Sequence, residues 1–294
     1  MIQLKIGTCS WNYDSWIGLV YTKGSSTSAG YLKEYASKYR TVEIDSWFYK
    51  FPSGKDVQAY LSNVDDAFTF SCKAPSQLTL THLRDKNMTG KATQINPEFL
   101  SPELFNQFLC SIEPMHSRID AIMFEFEYLN KSKMPSLNQF IDNLSSFFEK
   151  IDRSVPLAIE TRNQNYLTRE YFEFLHTYKI THVFSEKQFM PHVYDVYKHY
   201  QPFITGQSIV RLLGGDRKEI ESKTAELWNE IVDEKKDLNS IADMIVEMIK
   251  SDVSLRIYVN NHYEGSAPKT IERLLKLLPD FCTRETKNNN SLSV

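Results

Sequence analysis

Eight short runs of apolar, β-branched and aromatic residues punctuate the chain: Leu4–Cys9, Thr41–Trp47, Phe68–Lys73, Ala121–Phe126, Leu157–Thr161, His182–Ser185, Ser208–Leu212 and Leu255–Val259. The segments between them carry a different period. Leu137, Phe140, Ile141, Leu144, Phe147, Phe148 and Ile151 fall on one face of a helix that starts after Pro135, with Ser136 as its N-cap. Similar patterns predict helices over Tyr31–Tyr39, Pro102–Ile112, Thr168–Tyr178, Ala225–Ile249 with a break near Asp237, and Pro268–Leu278, with a short one over Pro191–Tyr200. Strand alternating with helix requires crossover connections between parallel strands, and eight such units close a barrel. The fold class read from this pattern is α/β: a single (β/α)8 TIM-type barrel with parallel strands and outer helices. A doubly wound open sheet is the runner-up, but no G-x-G-x-x-G follows the first strand and no Walker A motif occurs.

The length of 294 residues suits this reading, since such barrels run at roughly 250 residues as one unit. One domain is expected over residues 1–282, with a disordered tail over 283–294. The stretch from Pro75 to Pro97, rich in Thr, Asn and Lys, is too long for a simple connection and is expected to be a functional loop or small excursion.

Charge and cysteine usage narrow the classes. A formal net charge of -3 without a Lys/Arg block argues against a protein that coats nucleic acid. Cys9, Cys72, Cys110 and Cys282 lie far apart with no C-x-x-C spacing, so reduced thiols are expected. The N-terminal MIQLKIGTCSW has neither a basic n-region nor a long apolar stretch, which predicts a cytoplasmic protein with no membrane segment.

Polar residues gather where each apolar run ends: Cys9 to Trp11; Glu43 and Asp45 with Phe48 and Tyr49; Lys73; Glu125 and Glu127; Glu160 and Arg162; Ser185 and Glu186; Arg211; and Asn260 to His262. In a parallel barrel these ends share one rim, where barrel enzymes keep their sites. Glu160 and Arg162 stand two apart and so project the same way. Facing the helices, two charges would enter an apolar layer at a cost of several kcal/mol each, so they are placed at the mouth. Arg162, Arg211 and Lys73 would hold an anion, since guanidinium forks and an ammonium suit phosphate or carboxylate. Glu43 or Glu160 would move a proton as catalytic acid or base, and Asn260 and Asn261 would orient the substrate. Trp11, Tyr49, His82 and His262 complete the expected binding set. Two alternatives stay open: the charges tie the strands together as a self-satisfied ion-pair network, or a divalent metal is held by Glu43, Glu127, Glu160, His82 and His262. No other cofactor is expected.

At these residues the chain resembles the YecE-like family of TIM-barrel proteins, domain of unknown function 72. The resemblance rests on G-T-C-S-W-N-Y-D-S-W-I-G from Gly7, V-E-I-D-S-W-F-Y from Val42, C-K-A-P followed by Thr81 and His82, I-E-T-R from Ile159, V-R-L-L-G from Val210, and Y-V-N-N-H-Y-E-G-S-A from Tyr258. It implies the barrel fold and a polar pocket at the strand ends, with no activity to carry over. Glu43, Lys73, Glu160, Arg162, Arg211, Asn260 and Asn261 match the family pattern, whereas Leu213 stands where the family commonly has histidine. The expectation is a barrel enzyme, hydrolytic in type, acting on a small anionic or phosphorylated substrate. The alternatives are a nucleic-acid-associated protein, by analogy with metal-dependent barrel endonucleases, and a non-catalytic ligand-binding barrel.

Overall fold

The structure, a computed structural model, describes residues 3–83 and 94–282. The expected disordered tail and the middle of the long third loop lie outside the described residues. Eight parallel strands form the sheet: β1 (Leu4–Thr8), β2 (Thr41–Ile44), β3 (Thr69–Lys73), β4 (Ile119–Glu125), β5 (Leu157–Glu160), β6 (Thr181–Lys187), β7 (Gln207–Gly214) and β8 (Ser254–Val259). Each strand from β2 to β7 pairs in parallel with the next, and β8 returns to β1. Closure between β1 and β2 rests on one parallel bridge, Cys9 to Glu43, in which the Ser10 N–H donates to the Glu43 carbonyl at 3.0 Å. The barrel is therefore shut at the level where its charged residues lie.

Helices cover the outside: α1 (Ser28–Lys38), α2 (Gly54–Leu61), α3 (Pro102–Ser111), α4 (Leu137–Phe148), α5 (Arg169–Tyr178), α6 (Val193–Tyr200), α7 (Arg217–Thr224), α8 (Leu238–Lys250) and α9 (Ala267–Leu277). Five begin at Thr27, Ser53, Ser101, Ser136 and Thr168, whose side chains each accept the backbone N–H three residues on. Such caps satisfy orphan donors at the helix starts, and they place those starts beside the strand ends. The expected helix over Ala225–Ile249 is corrected. Ala225 and Glu226 take positive φ (48° and 59°) and end α7, and helix resumes only at Leu238. The third connection is an excursion with a one-turn helix (Ser76–Thr79) and a small antiparallel pairing of His82–Leu83 with Gln94–Ile95.

Inside the barrel the side chains stack in layers. Ala121, Met123, Ala158, Val183, Ile209 and Tyr258 belong to an apolar cluster separate from the larger one under the helices. The Tyr258 hydroxyl donates to Ser71 Oγ at 2.7 Å and accepts from Thr41 Oγ1 at 3.0 Å. Below them Arg256 pairs with Asp120 at 2.8 Å near the strand starts. The interior is thus filled, and only the end beyond the strand C-termini is open to chemistry.

One glycine fixes how that end is built. Gly214, at φ +83°, ends β7 so close to the next loop that an added Cβ would stand 2.2 Å from the His262 carbonyl oxygen. Gly214→Ala is expected to cost about 1–3 kcal/mol or more in urea denaturation, from clash and left-handed strain together. Gly215→Ala, where a Cβ meets nothing within 4 Å, should stay within about 0.5 kcal/mol. Equal losses at both positions would refute the close-approach account.

Candidate functional site

Alternation along each strand aims Glu43, Lys73, Glu125, Glu160 and Arg211 into the barrel just above the apolar layer, and Arg162 follows two residues after Glu160. Arg211 is the hub. Its Nη2 and Nε donate to the two oxygens of Glu43 at 2.6 and 2.8 Å, and its Nη1 donates to Glu125 at 2.9 Å and to Glu160. Arg162 Nη2 lies 2.8 Å from Glu160 and 3.0 Å from Glu125. Lys73 Nζ meets Asp45 at 2.6 Å and Glu125 at 2.9 Å. Three cations and four carboxylates thus form one connected network.

Burial and pairing compete at each group. Burial pushes the Glu43 carboxyl up to about 7, because Arg211 is shared among three carboxylates and offsets only part of the lost hydration. Glu125 is held well below the usual range: burial raises it, but Lys73, Arg162 and Arg211 together outweigh that. For Lys73, burial and Arg211 act downward, yet Glu125, Asp45 and Glu43 leave it above its ordinary value. The Cys9 thiol, raised by burial and by Glu43, donates to Glu43 at 3.4 Å and has no nucleophilic character.

Glu43 and Glu160 are both 0% exposed, so a ligand reaches neither while the network is closed. Trp11 is a buried anchor: its Nε1–H donates to the Ser28 carbonyl at 2.7 Å and its ring packs edge-on against Tyr60. Tyr49 is exposed at the same end as the network. His82 sits in the small antiparallel pairing, its Nδ1 3.0 Å from Thr81 Oγ1. Asn261 is buried and accepts the Ala267 N–H with its side-chain oxygen, which ties the last loop to the start of α9. Asn260 accepts from the His262 backbone N–H at 2.9 Å and lies 2.6 Å from His262 Nδ1, while His262 Nε2 faces Glu221. Glu127 pairs with Lys133, outside the network. The five residues of the expected metal set do not converge among the described residues: Glu43 and Glu160 share Arg211, Glu127 and His82 both contact Thr81 Oγ1, and His262 faces Glu221.

A different trio converges. Ligand atoms of Glu186, His192 and Asp237 lie within 4.8 Å of one another. His192 Nδ1 stands 2.7 Å from Glu186, and its Nε2 stands 2.8 Å from Ser240 Oγ, which itself donates to the Asp237 carbonyl at 2.8 Å. Ser240 therefore accepts from the ring, and a carboxylate takes the other nitrogen, so both nitrogens act as donors. The hydrogen bond donated to Glu186 raises the His192 pKa accordingly. The trio fits an imidazolium staple between the end of β6 and the start of α8, with each ring nitrogen given an oxygen acceptor.

Two further residues belong to the mouth. Glu125 bridges all three cations and takes part in more of the network than any expected catalytic residue. Lys187, the last residue of β6, is half-buried and electrostatically coupled to Arg162, Glu160, Glu125 and Arg211. Burial and Arg162 lower its pKa, and among the described residues it makes no ion pair. Arg162 Nη1 is likewise buried with no hydrogen-bond partner. Two cavities lie elsewhere: one of about 520 Å³ between the loops after β4 and β5, and one of about 450 Å³ at the starts of β6 and β7.

The family described as "Protein of unknown function DUF72" matches residues 5–290. The chain belongs to this family. Among solved structures, a DUF72 family protein from Thermotoga maritima MSB8 is 20% identical with a TM-score of 0.66, over 94% of this chain and 98% of its own. A DUF72 family protein from Enterococcus faecalis V583 is 18% identical with a TM-score of 0.67, over 94% of this chain and 95% of its own. At these identities the likeness speaks for the fold of this DUF72 chain. No curated protein matches it. Among the described residues no helix is long and apolar enough to cross a membrane.

Proposed function

We propose that the strand-end mouth of this DUF72 barrel binds a small anionic molecule, a carboxylate or phosphate, and acts on it as an enzyme. One observation carries the reading: Arg162 Nη1, a charged donor at the mouth, is buried with no acceptor. Such a donor loses its hydration without recompense unless an acceptor arrives. Lys187 stands coupled to it as a second cation with no described ion-pair partner. The sequence reading placed the anion on Arg211, Lys73 and Arg162 together. The network instead favours Arg162 with Lys187, since Arg211 and Lys73 are already engaged by carboxylates. Glu43 and Glu160 then serve as positioning residues, which weakens the case for hydrolysis driven by either of them.

Titration calorimetry with phosphate, sulfate and lactate tests the reading. Wild type is expected to bind at least one of them saturably. Arg162→Lys keeps the charge but removes the fork, and is expected to weaken that binding by roughly 10- to 150-fold, the equivalent of one charge-assisted hydrogen bond of about 1.5–3 kcal/mol. No saturable binding by wild type, or unchanged affinity in Arg162→Lys, would overturn it.

A further inference from the structure

We propose that Lys187 is a Schiff-base lysine, whose Nζ condenses with the carbonyl of a small oxo-acid held through its anionic group by Arg162. This deepens the reading above and rests on it. Along β6, Val183, Ser185 and Lys187 share a face by strand alternation. Val183 belongs to the barrel's inner cluster and Ser185 stands in register with Arg211, so Lys187 emerges above the network at the mouth. The register between β6 and β7 shifts between Glu186 and Lys187, which brings Lys187 opposite Gly214. The extra residue is Leu213 of β7, so alternation along β6 runs unbroken to Lys187, and such irregularities are common beside active sites. The two lysines of this mouth are also used differently. Lys73 has two carboxylates within 3 Å and is held charged. Lys187 makes no ion pair with a described residue and has two arginines among its electrostatic neighbours.

A lysine that is partly desolvated beside other cations is the form that supplies a neutral amine near neutral pH. Burial, then Arg162, act in that direction here, with Glu160 and Glu125 opposing in part. The amine lone pair adds to the carbonyl carbon, giving a carbinolamine. That intermediate loses its hydroxyl with one proton as water, and a C=N bond replaces the C=O. In its protonated form the imine is a cation that withdraws electrons from the neighbouring carbon. No oxidant or metal is required. The substrate class is a small 2-oxo acid or a related carbonyl compound bearing a carboxylate or phosphate.

The test uses the full-length protein with pyruvate as probe and sodium cyanoborohydride, which delivers hydride to the imine carbon and fixes the adduct as a secondary amine. Peptide mass mapping then locates it. Lys187 is expected to be labelled at least about tenfold faster than exposed Lys50 and Lys223, and lactate, which has the carboxylate but no carbonyl, should suppress that labelling. In Lys187→Arg the preferential adduct should vanish while the urea midpoint stays that of wild type. If pyruvate and lactate bind but Lys187 is labelled no faster than the exposed lysines, the Schiff-base proposal fails and anion binding stands. If no preferential label forms and none of pyruvate, lactate, phosphate and sulfate binds, both fail.

Discussion

Arg211→Met is expected to lower the stability of the barrel by about 3–5 kcal/mol, read as a shifted urea midpoint at neutral pH. The size follows from what remains behind. Arg211 is 2% exposed and is the guanidinium on which Glu43 and Glu160, both 0% exposed, converge. Methionine fills similar space but supplies no charge, so two or three carboxylates stay buried with only Lys73 and Arg162 near them. One would have to take up a proton, and Glu43, already raised to about 7, is the first to do so. Adding Glu43→Gln and Glu160→Gln to Arg211→Met should restore part of the loss, because neutral amides need no counter-charge. Arg169→Met, which removes an exposed i,i+4 pair on α5, should leave the midpoint unchanged within error. A loss below about 1 kcal/mol in Arg211→Met would mean that the network is not held by its hub.

The same network shows what the sequence could and could not reveal. Alternating strand and helix periods exposed the barrel, because each pattern reports which side of an element is buried. The clustering of polar residues at strand ends likewise pointed to the mouth, where Glu43, Lys73, Glu160, Arg162 and Arg211 meet. Pairing was not legible. Glu43 and Arg211 are 168 residues apart, and nothing local says that a carboxylate on the second strand will take the Nε–Nη2 edge of a guanidinium on the seventh. The alternative of mutually satisfied charges therefore stayed open beside anion binding, and it describes Arg211 and Lys73, whose charges carboxylates already engage. Lys187 was missed for a simpler reason. The sixth run was ended at Ser185, where apolar residues stop, although two more steps of alternation reach Lys187 on the same face as Val183. Trp11 entered the expected set by its place at a strand end, yet its indole N–H is used by the Ser28 carbonyl; Asn261 gives its side-chain oxygen to the Ala267 N–H, while its buried Nδ2 has no partner among the described residues. The helix expected from Ala225 fails because the apolar period there cannot register left-handed residues at Ala225 and Glu226.

Between pH 4.5 and 6.5, His182→Phe and Glu43→Gln are expected to give stability profiles of opposite slope, each changing by about 2 kcal/mol, because the two contributions oppose one another in wild type. His182 lies in the apolar layer between β6 and α5, edge-on to Phe172 and Phe184 and near the Tyr171 hydroxyl, and burial lowers its pKa from 6.5 to about 3. In this window the unfolded chain binds a proton there that the folded chain refuses. The contribution is complete above pH 6.5 and is lost as pH falls toward about 3. Glu43 works the other way. Its folded value of about 7 exceeds the ordinary 4.5, so the folded chain keeps a proton that the unfolded chain releases. That contribution is complete below 4.5 and is lost as pH rises through about 7. With His182 removed, the Glu43 effect remains and stability should fall as pH rises across the window. With Glu43 made neutral, stability should rise instead, with His262, lowered chiefly by burial, adding to the same limb. The staple residue His192 is raised above 6.5 and changes mainly outside the window, and Glu125, held well below 4.5, acts only at more acid pH. Urea midpoints at three pH values across the window suffice. Slopes of the same sign in both variants would show that the buried carboxylate at the mouth is charged throughout, and that Arg211 compensates its burial in full.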